Sequence, residues 1–453
     1  MHPTLSRRAL ARIFSGAASA AAMTRLGGMS ALAQSAPDYK ALVCVFLFGG
    51  NDSHNMVVPQ ETAHYNSYRA IRRNLGLPDG NATLLPIVAR TGAVPYAFNS
   101  GLQAIHLLWA TGQLAVVANV GMLAAPTTRA AYLNRSVPLP TNLFSHADQV
   151  IEKQAGDPNG SGAGGSGWVG RIADLSANLN GAARFPAAVS MSGQALMTTG
   201  AVIQSATLYP GFDLSANGLG AWPASAQAAR GQALQEILAF DNGLTLVQAA
   251  NRVRRDAAEL NQLLRSTGEA PALTTPFPGT SLGRQMQQIA NIIRLRGTTG
   301  MRRQVFFASL GGFDTHSSQG WQHWDLLRQV SEAMRALYDA TVEMGVAANV
   351  TQFTETDFGR TLESNGSGSD HGWGGHQLVL GGAVRGGDVY GTFPTLALGG
   401  PDDANTRGVL IPTTALDQYG ATFARWFGVA DSALPQVFPN IGRFATANVG
   451  FMT

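Results

Sequence analysis

Cysteine is nearly absent. The 453 residues hold one, Cys44, so neither a disulfide within the chain nor a zinc cluster built on thiolates can form. Lysine is almost as scarce, with only Lys40 and Lys153, which argues against a lysine nucleophile or Schiff base. Net charge is slight as well. The formal value is +3, but four of the 31 basic residues and none of the 28 acidic ones fall in the first 33 positions, leaving 27 basic against 28 acidic residues beyond them. Such a near-neutral remainder lacks the basic stripe needed to neutralise a phosphate backbone, so nucleic acid is excluded as a partner. The apolar run Ala41–Phe48 is too short to cross a bilayer and reads as a fully buried strand with a structural thiol at Cys44. What is present is 45% hydrophobic content with 13% charge, the balance of a compact, well-buried chain.

The first 33 residues read as an export signal. Arg7-Arg8 is followed by a weakly apolar Ala/Gly-rich stretch interrupted by Arg25, and Ala31-Leu32-Ala33 supplies small residues for cleavage before Gln34. This pattern fits a twin-arginine signal peptide rather than a membrane anchor. The translocase of that route is then a partner during export, and the mature protein is periplasmic or secreted. The route carries folded proteins, often with cofactors already bound, which hints at a metal or cofactor.

Strand-like runs recur at 41–48, 114–120, 186–191, 303–310, 349–354 and 377–382, separated by helical periodicity at 225–241, 244–265, 283–296, 319–345 and 414–428. Alternation of this kind predicts one α/β domain over 34–453, a mostly parallel sheet with helices on both faces. The segment at about 195–300 is helix-rich and reads as an embellishment on the sheet.

In open α/β sheets ligands bind beyond the carboxyl ends of the strands. Four Gly-lined turns bearing carboxylates stand beside strand-like runs here: Gly49–Asn55, Gly311–His316, Glu355–Arg360 and Asp370–His376. Six of the eight histidines beyond the leader, His54, His146, His316, His323, His371 and His376, lie in or near these turns or beside Ser145. Carboxylates mixed with imidazoles suit zinc, manganese or iron. His64 and His106 fall in helical patterns and read as structural.

Ser145 precedes the helical segment from His146, where free N–H groups and the helix dipole would stabilise an anion; the same place suits an ordinary N-cap. Two formal motifs fail on context. Gly162–Gly167 matches a dinucleotide loop, but Asp157-Pro158-Asn159-Gly160 stands where its strand should be. Gly279-Thr280-Ser281-Leu282-Gly283 matches a nucleophile elbow, but Pro276 and Pro278 spoil the strand before it, so Thr280 or Ser281 reads as a helix cap.

Taken in order, the paired-arginine leader, Phe48-Gly49-Gly50-Asn51-Asp52, Phe144-Ser145-His146, Gly167-Trp168-Val169-Gly170-Arg171, Gly312-Phe313-Asp314-Thr315-His316, Asp357-Phe358-Gly359-Arg360-Thr361 and Asp370-His371-Gly372-Trp373 resemble the exported bacterial family called domain of unknown function 1501. That family is usually placed in the alkaline phosphatase and sulfatase superfamily. The resemblance implies an alkaline phosphatase-like α/β fold and a centre of one or two divalent ions, zinc or manganese. It implies Asp52 and Asp357 at one ion, Asp314 and His316 with His371 or His376 at the other, Ser145 as nucleophile, and Arg360 as a fork of donors to the transferred group. Cys44 lacks the context that sulfatases convert to formylglycine. The expected activity is metal-dependent hydrolysis of a phosphate, sulfate or related ester, small or polymeric. The expectation of another class is a metal-free binding or scaffold protein that keeps the fold without turnover.

Overall fold

The computed structural model describes residues 39–159, 165–183, 185–211, 222–240 and 272–453, with a few single positions among 244–251. The expected leader, residues 162–164 of the 162–167 glycine loop and almost all of the helix expected over 244–265 lie outside the described residues. The strands run β1 (Lys40–Leu47), β2 (Val57–Pro59), β3 (Leu84–Val88), β4 (Pro95–Asn99), β5 (Leu114–Gly121), β6 (Ala188–Ser190), β7 (Ala206–Thr207), β8 (Arg303–Leu310), β9 (Val350–Thr356), β10 (Arg360–Ser364), β11 (Ser369–His371), β12 (Gly375–Gly381), β13 (Val389–Tyr390) and β14 (Thr414–Ala415). The helices that build the core and the site are α1 (Thr62–Arg72), α2 (Gln103–Ala110), α3 (His146–Ala155), α4 (Trp168–Leu175), α5 (Ser281–Arg294), α6 (Gln319–Glu343) and α7 (Leu416–Phe427).

Among the described residues nine strands form one sheet in the order β13-β5-β12-β9-β1-β8-β6-β7, with β14 also on β5. β1 lies parallel between β8 and β9, and β12 alone runs antiparallel to its neighbours β9 and β5. Because strand side chains alternate faces, the apolar run of β1 feeds two cores. Val43, Val45 and Leu47 join Met286, Ile289 and Ile293 of α5, Leu327, Val330 and Leu337 of α6, and Ile105 of α2. Leu42, Cys44 and Phe46 face Trp168 and Ile172 of α4 and Tyr419 and Phe423 of α7. The protein is therefore a mixed α/β fold with helices on both faces of a large, mostly parallel sheet. Burial, with Glu355 adding to it, pushes the Cys44 thiol well above its ordinary value, which leaves it inert.

α5 falls in the segment expected to embellish the sheet, yet it packs as a layer helix. Its apolar residues Leu282, Met286, Ile289 and Ile293 recur at helical spacing, and Gln285 exchanges hydrogen bonds with the backbone of Ser309 in β8. Thr280 caps it by accepting from the Gly283 N–H at 3.1 Å. Among the described residues no helix is long and apolar enough to cross a membrane.

Register brings the glycine turns to one edge. Leu47 of β1 pairs with Leu310 of β8 and Thr356 of β9, and the antiparallel β12 begins at that same edge with Gly375 opposite Val120 of β5. The ribbon of β10 and β11, in which Arg360 pairs with His371, places His371 beside these turns. Gly49 makes the close approach possible. Its φ is +113°, and a Cβ there would stand 2.4 Å from the Asp314 nitrogen, so only glycine fits.

Candidate metal centre

Asp314, in the turn after β8, is the meeting point. Its Oδ1 lies 3.1 Å from His316 Nε2, 3.4 Å from His146 Nε2 and 3.6 Å from His371 Nε2. The Nε2 atoms of His316 and His371 are 3.0 Å apart. His146, Asp314 and His371 offer ligand atoms all within 4.8 Å of one another, and Asp314, His316 and His371 form an overlapping trio that is tighter still.

The outer nitrogen of each ring is held by an oxygen. His371 Nδ1 meets the Phe144 carbonyl at 2.8 Å, His146 Nδ1 meets Asp357 Oδ2 at 2.7 Å, and His316 Nδ1 meets Asp370 Oδ1 at 3.2 Å. A carbonyl can only accept, so His371 carries its proton on Nδ1 and turns a lone pair inward on Nε2. The two carboxylates favour the same tautomer in His146 and His316. Three imidazole lone pairs and a carboxylate oxygen then converge, and the buried His146 Nε2 has no hydrogen-bond partner. Acceptors crowded together repel unless a cation lies between them, and rings held from behind by oxygens are the usual support of a metal-binding histidine. The donor set therefore fits a divalent transition metal such as zinc or manganese.

Charge around the cluster is arranged to keep these carboxylates placed. Burial by itself raises the Asp314 carboxyl, but the hydrogen bond and charge of Arg360, with His316 and His146, bring it below its ordinary value. Burial likewise opposes ionisation of Asp370, yet hydrogen bonds from Asn365, Arg407 and His316 hold its pKa at about 2. For Asp357 burial prevails over the hydrogen bonds from His146 and the Gly49 N–H, and its pKa is raised. The cavity facing the cluster, of about 420 Å³, is lined by Phe48, Gly49, His146, Ala147, Val150, Asp314 and Asp357.

Several residues expected at the centre stand elsewhere. Asp52 is fully buried and accepts from Arg72 of α1 and from Gln319, so its charge is already matched; it does not join Asp357 around a second ion. Asp357 instead orients His146. His376 lies inside β12, where its Nδ1 accepts from the Asn119 N–H at 3.1 Å and its ring stacks on Phe393; of the two candidate histidines, His371 is the one the β10–β11 ribbon delivers. Arg360 is buried and spends its guanidinium on Asp314 at 2.7 Å, the Gly49 carbonyl at 3.1 Å and the Ser369 carbonyl, so it positions Asp314 and presents no free fork to a substrate.

Ser145 takes the cap role. Its Oγ accepts from the Asp148 N–H at 3.5 Å, and its side chain lines a different cavity from the one holding Asp314. Ser145→Ala is expected to cost at most about 1 kcal/mol and to leave bound metal unchanged, as urea unfolding and metal analysis will show. His146, the next residue, is the side chain that reaches the cluster. Asp370, which precedes His371 in the sequence, carries no signal of its own there and serves the cluster by holding His316 Nδ1.

Three buried histidines surround Asp52 and Arg360. Burial is the main cause that lowers His54 and His323 to about 4 and His376 to about 3. In the unfolded chain they titrate near 6.5, so below that pH the unfolded state binds protons that the folded state does not. Stability is thus expected to fall as pH drops from about 6.5 towards 4. Urea midpoints measured across this window, with His376→Gln flattening part of the slope, check the sign.

A family model described as "Protein of unknown function (DUF1501)" matches residues 39–416. No curated protein matches the chain.

Proposed function

Starting from a chain that belongs to the DUF1501 family of proteins of unknown function, we propose that it is a hydrolase of phosphate, sulfate or related esters that holds one divalent cation on His146, Asp314, His316 and His371. The observation that carries this reading is the convergence of three Nε2 atoms on Asp314 Oδ1 at 3.1 to 3.6 Å while their Nδ1 atoms are held from behind. A divalent cation bound there supplies Lewis-acid polarisation of an ester oxygen and lowers the pKa of water towards neutrality.

The protein's own groups prepare the rest. Asp357, Asp370 and the Phe144 carbonyl fix the three rings in the tautomer that ligates. Arg360 holds Asp314 in place from the sheet side. The positive end of the α3 dipole, at His146 and Ala147, borders the cavity and favours the anionic group of an ester. Ser145 acts as the helix cap, which leaves water as the attacking oxygen. The Arg7-Arg8 leader supports export by the twin-arginine translocase and a periplasmic location.

Protein purified after export is expected to carry about one zinc or manganese ion per chain and to hydrolyse at least one of an aryl phosphate, a phosphodiester and an aryl sulfate, with activity removed by a chelator and restored by the metal. Folded protein that binds no divalent ion and turns over none of these would favour a binding or scaffold role.

A further inference from the structure

A second cavity, of about 730 Å³, is lined by nine residues between Tyr132 and Ser145. Its volume falls in the range of small-molecule sites, and it exceeds the 420 Å³ of the space at Asp314. Two structural links join it to the cluster. Phe144 lines the cavity with its side chain while its carbonyl holds His371 Nδ1 at 2.8 Å. Tyr132, also in the wall, packs on Trp373 with ring centroids 5.7 Å apart, and Trp373 is fixed by an indole N–H donated to the Met122 carbonyl at 2.8 Å. The wall is therefore anchored to residues that flank His371 in sequence and in space.

Much of the lining is apolar or aromatic, at Tyr132, Leu133, Leu139, Pro140, Leu143 and Phe144, with Asn142 and Ser145 as polar members; Leu133 is 53% and Phe144 39% exposed. Among the described residues Arg135 is the one charged side chain in the lining. A phosphate or sulfate group alone has no use for such a surface, whereas an aromatic substituent carried by the ester would bury it.

Resting on the hydrolase reading above, we propose that this cavity seats the non-reacting arm of the substrate, an aryl or similarly sized apolar group that is neutral or anionic, so that the protein is selective for aryl-bearing esters over small alkyl ones. Arg135 would disfavour a cationic arm. Apolar contact made equally before and during reaction lowers KM more than it raises kcat.

The test compares 2-(1-naphthyl)ethyl phosphate with ethyl phosphate, whose alkoxide leaving groups are of similar basicity, on the metal-loaded protein and on Leu133→Asp, a change at a half-exposed position. The wild type is expected to prefer the naphthyl ester by about 10- to 100-fold in kcat/KM, and Leu133→Asp to lose most of that preference through KM, with metal content unchanged. Turnover of both esters without preference would overturn the aryl site and leave the hydrolase reading standing. Failure of the hydrolase reading is recognised separately: if neither ester reacts, the fluorescence anisotropy of 2-(1-naphthyl)ethyl phosphate decides. Binding that Leu133→Asp abolishes supports the aryl site, and absence of binding overturns it.

Discussion

Asp314→Ala is expected, on the metal-dependent hydrolase reading proposed above, to leave the purified, folded protein without a bound divalent cation and to lower ester turnover by several decades. Asp314 Oδ1 is the atom common to all three imidazoles, at 3.1, 3.4 and 3.6 Å, and among the described residues it is the carboxylate oxygen that faces all three Nε2 atoms. Without it only the three imidazole nitrogens remain, and binding is expected to weaken at least about 100-fold, beyond the 10- to 100-fold typical of losing a supporting residue. The alanine also strands the buried Arg360 guanidinium, which Asp314 matches at 2.7 Å. Asp314→Asn therefore accompanies it, keeping the shape while removing the charge. Dialysis followed by elemental analysis reads the cation, and circular dichroism reads the fold. Asp357→Asn, which touches His146 from behind, should fall between the wild type and Asp314→Ala. Unchanged metal content in folded Asp314→Ala would refute the centre.

Asp52→Ala is expected to act through stability instead. Asp52 and Arg72 are both fully buried and paired, and Arg72 also donates to the Thr361 carbonyl at 3.0 Å, tying α1 to β10. Breaking one partner of such a pair leaves a buried charge uncompensated, at a cost of about 3–5 kcal/mol. Burial alone would raise the Asp52 carboxyl, but Arg72, His323 and His54 bring it below its ordinary value. Its folded pKa thus lies under the unfolded one, so this contribution is present above about pH 4 and fades as pH falls further. The double substitution Asp52→Leu with Arg72→Met should recover much of the loss, since an apolar pair of similar volume can replace a buried ion pair. Urea unfolding of the two singles and the double closes the cycle. If Asp52 were a metal ligand, Asp52→Ala would lose the cation at little cost in stability.

The elements that carry a strong local signal were legible from residues alone. The strand expected at 303–310 is β8, Arg303–Leu310, and the helices expected at 283–296, 319–345 and 414–428 are α5, α6 and α7, each displaced at its ends by no more than two residues. Runs of buried apolar residues and helical spacing are local properties, and they survive into the fold because the sheet buries both faces of β1 and β8. The shared chemistry of the Gly-lined turns followed from the rule that strands of a parallel sheet end at one edge. Asp314 and His316, with His371 or His376 left open, were candidates on the residues and the family resemblance. Shorter elements such as β10 and β11 were not legible, because their pairing with each other rather than any pattern within them makes them strands.

What only the tertiary structure decided was which side chain of a pair of neighbours faces the centre. Ser145 and His146 are adjacent, but the N-cap geometry turns the Ser145 hydroxyl back on the Asp148 N–H, and the first helical position sends the His146 ring towards Asp357 and Asp314. His371 and His376 are five residues apart in one expected turn; entry into β12 buries the second, and the β10–β11 ribbon delivers the first. Asp52 follows β1 as a ligand would, yet Arg72, twenty positions later on a helix with no motif, claims it. Spacing along a chain specifies which turns meet, because strand register is set by the buried face. Side-chain direction within a turn depends on caps, pleats and charged partners that arrive from elsewhere in the chain, and these exist only once the sheet has formed.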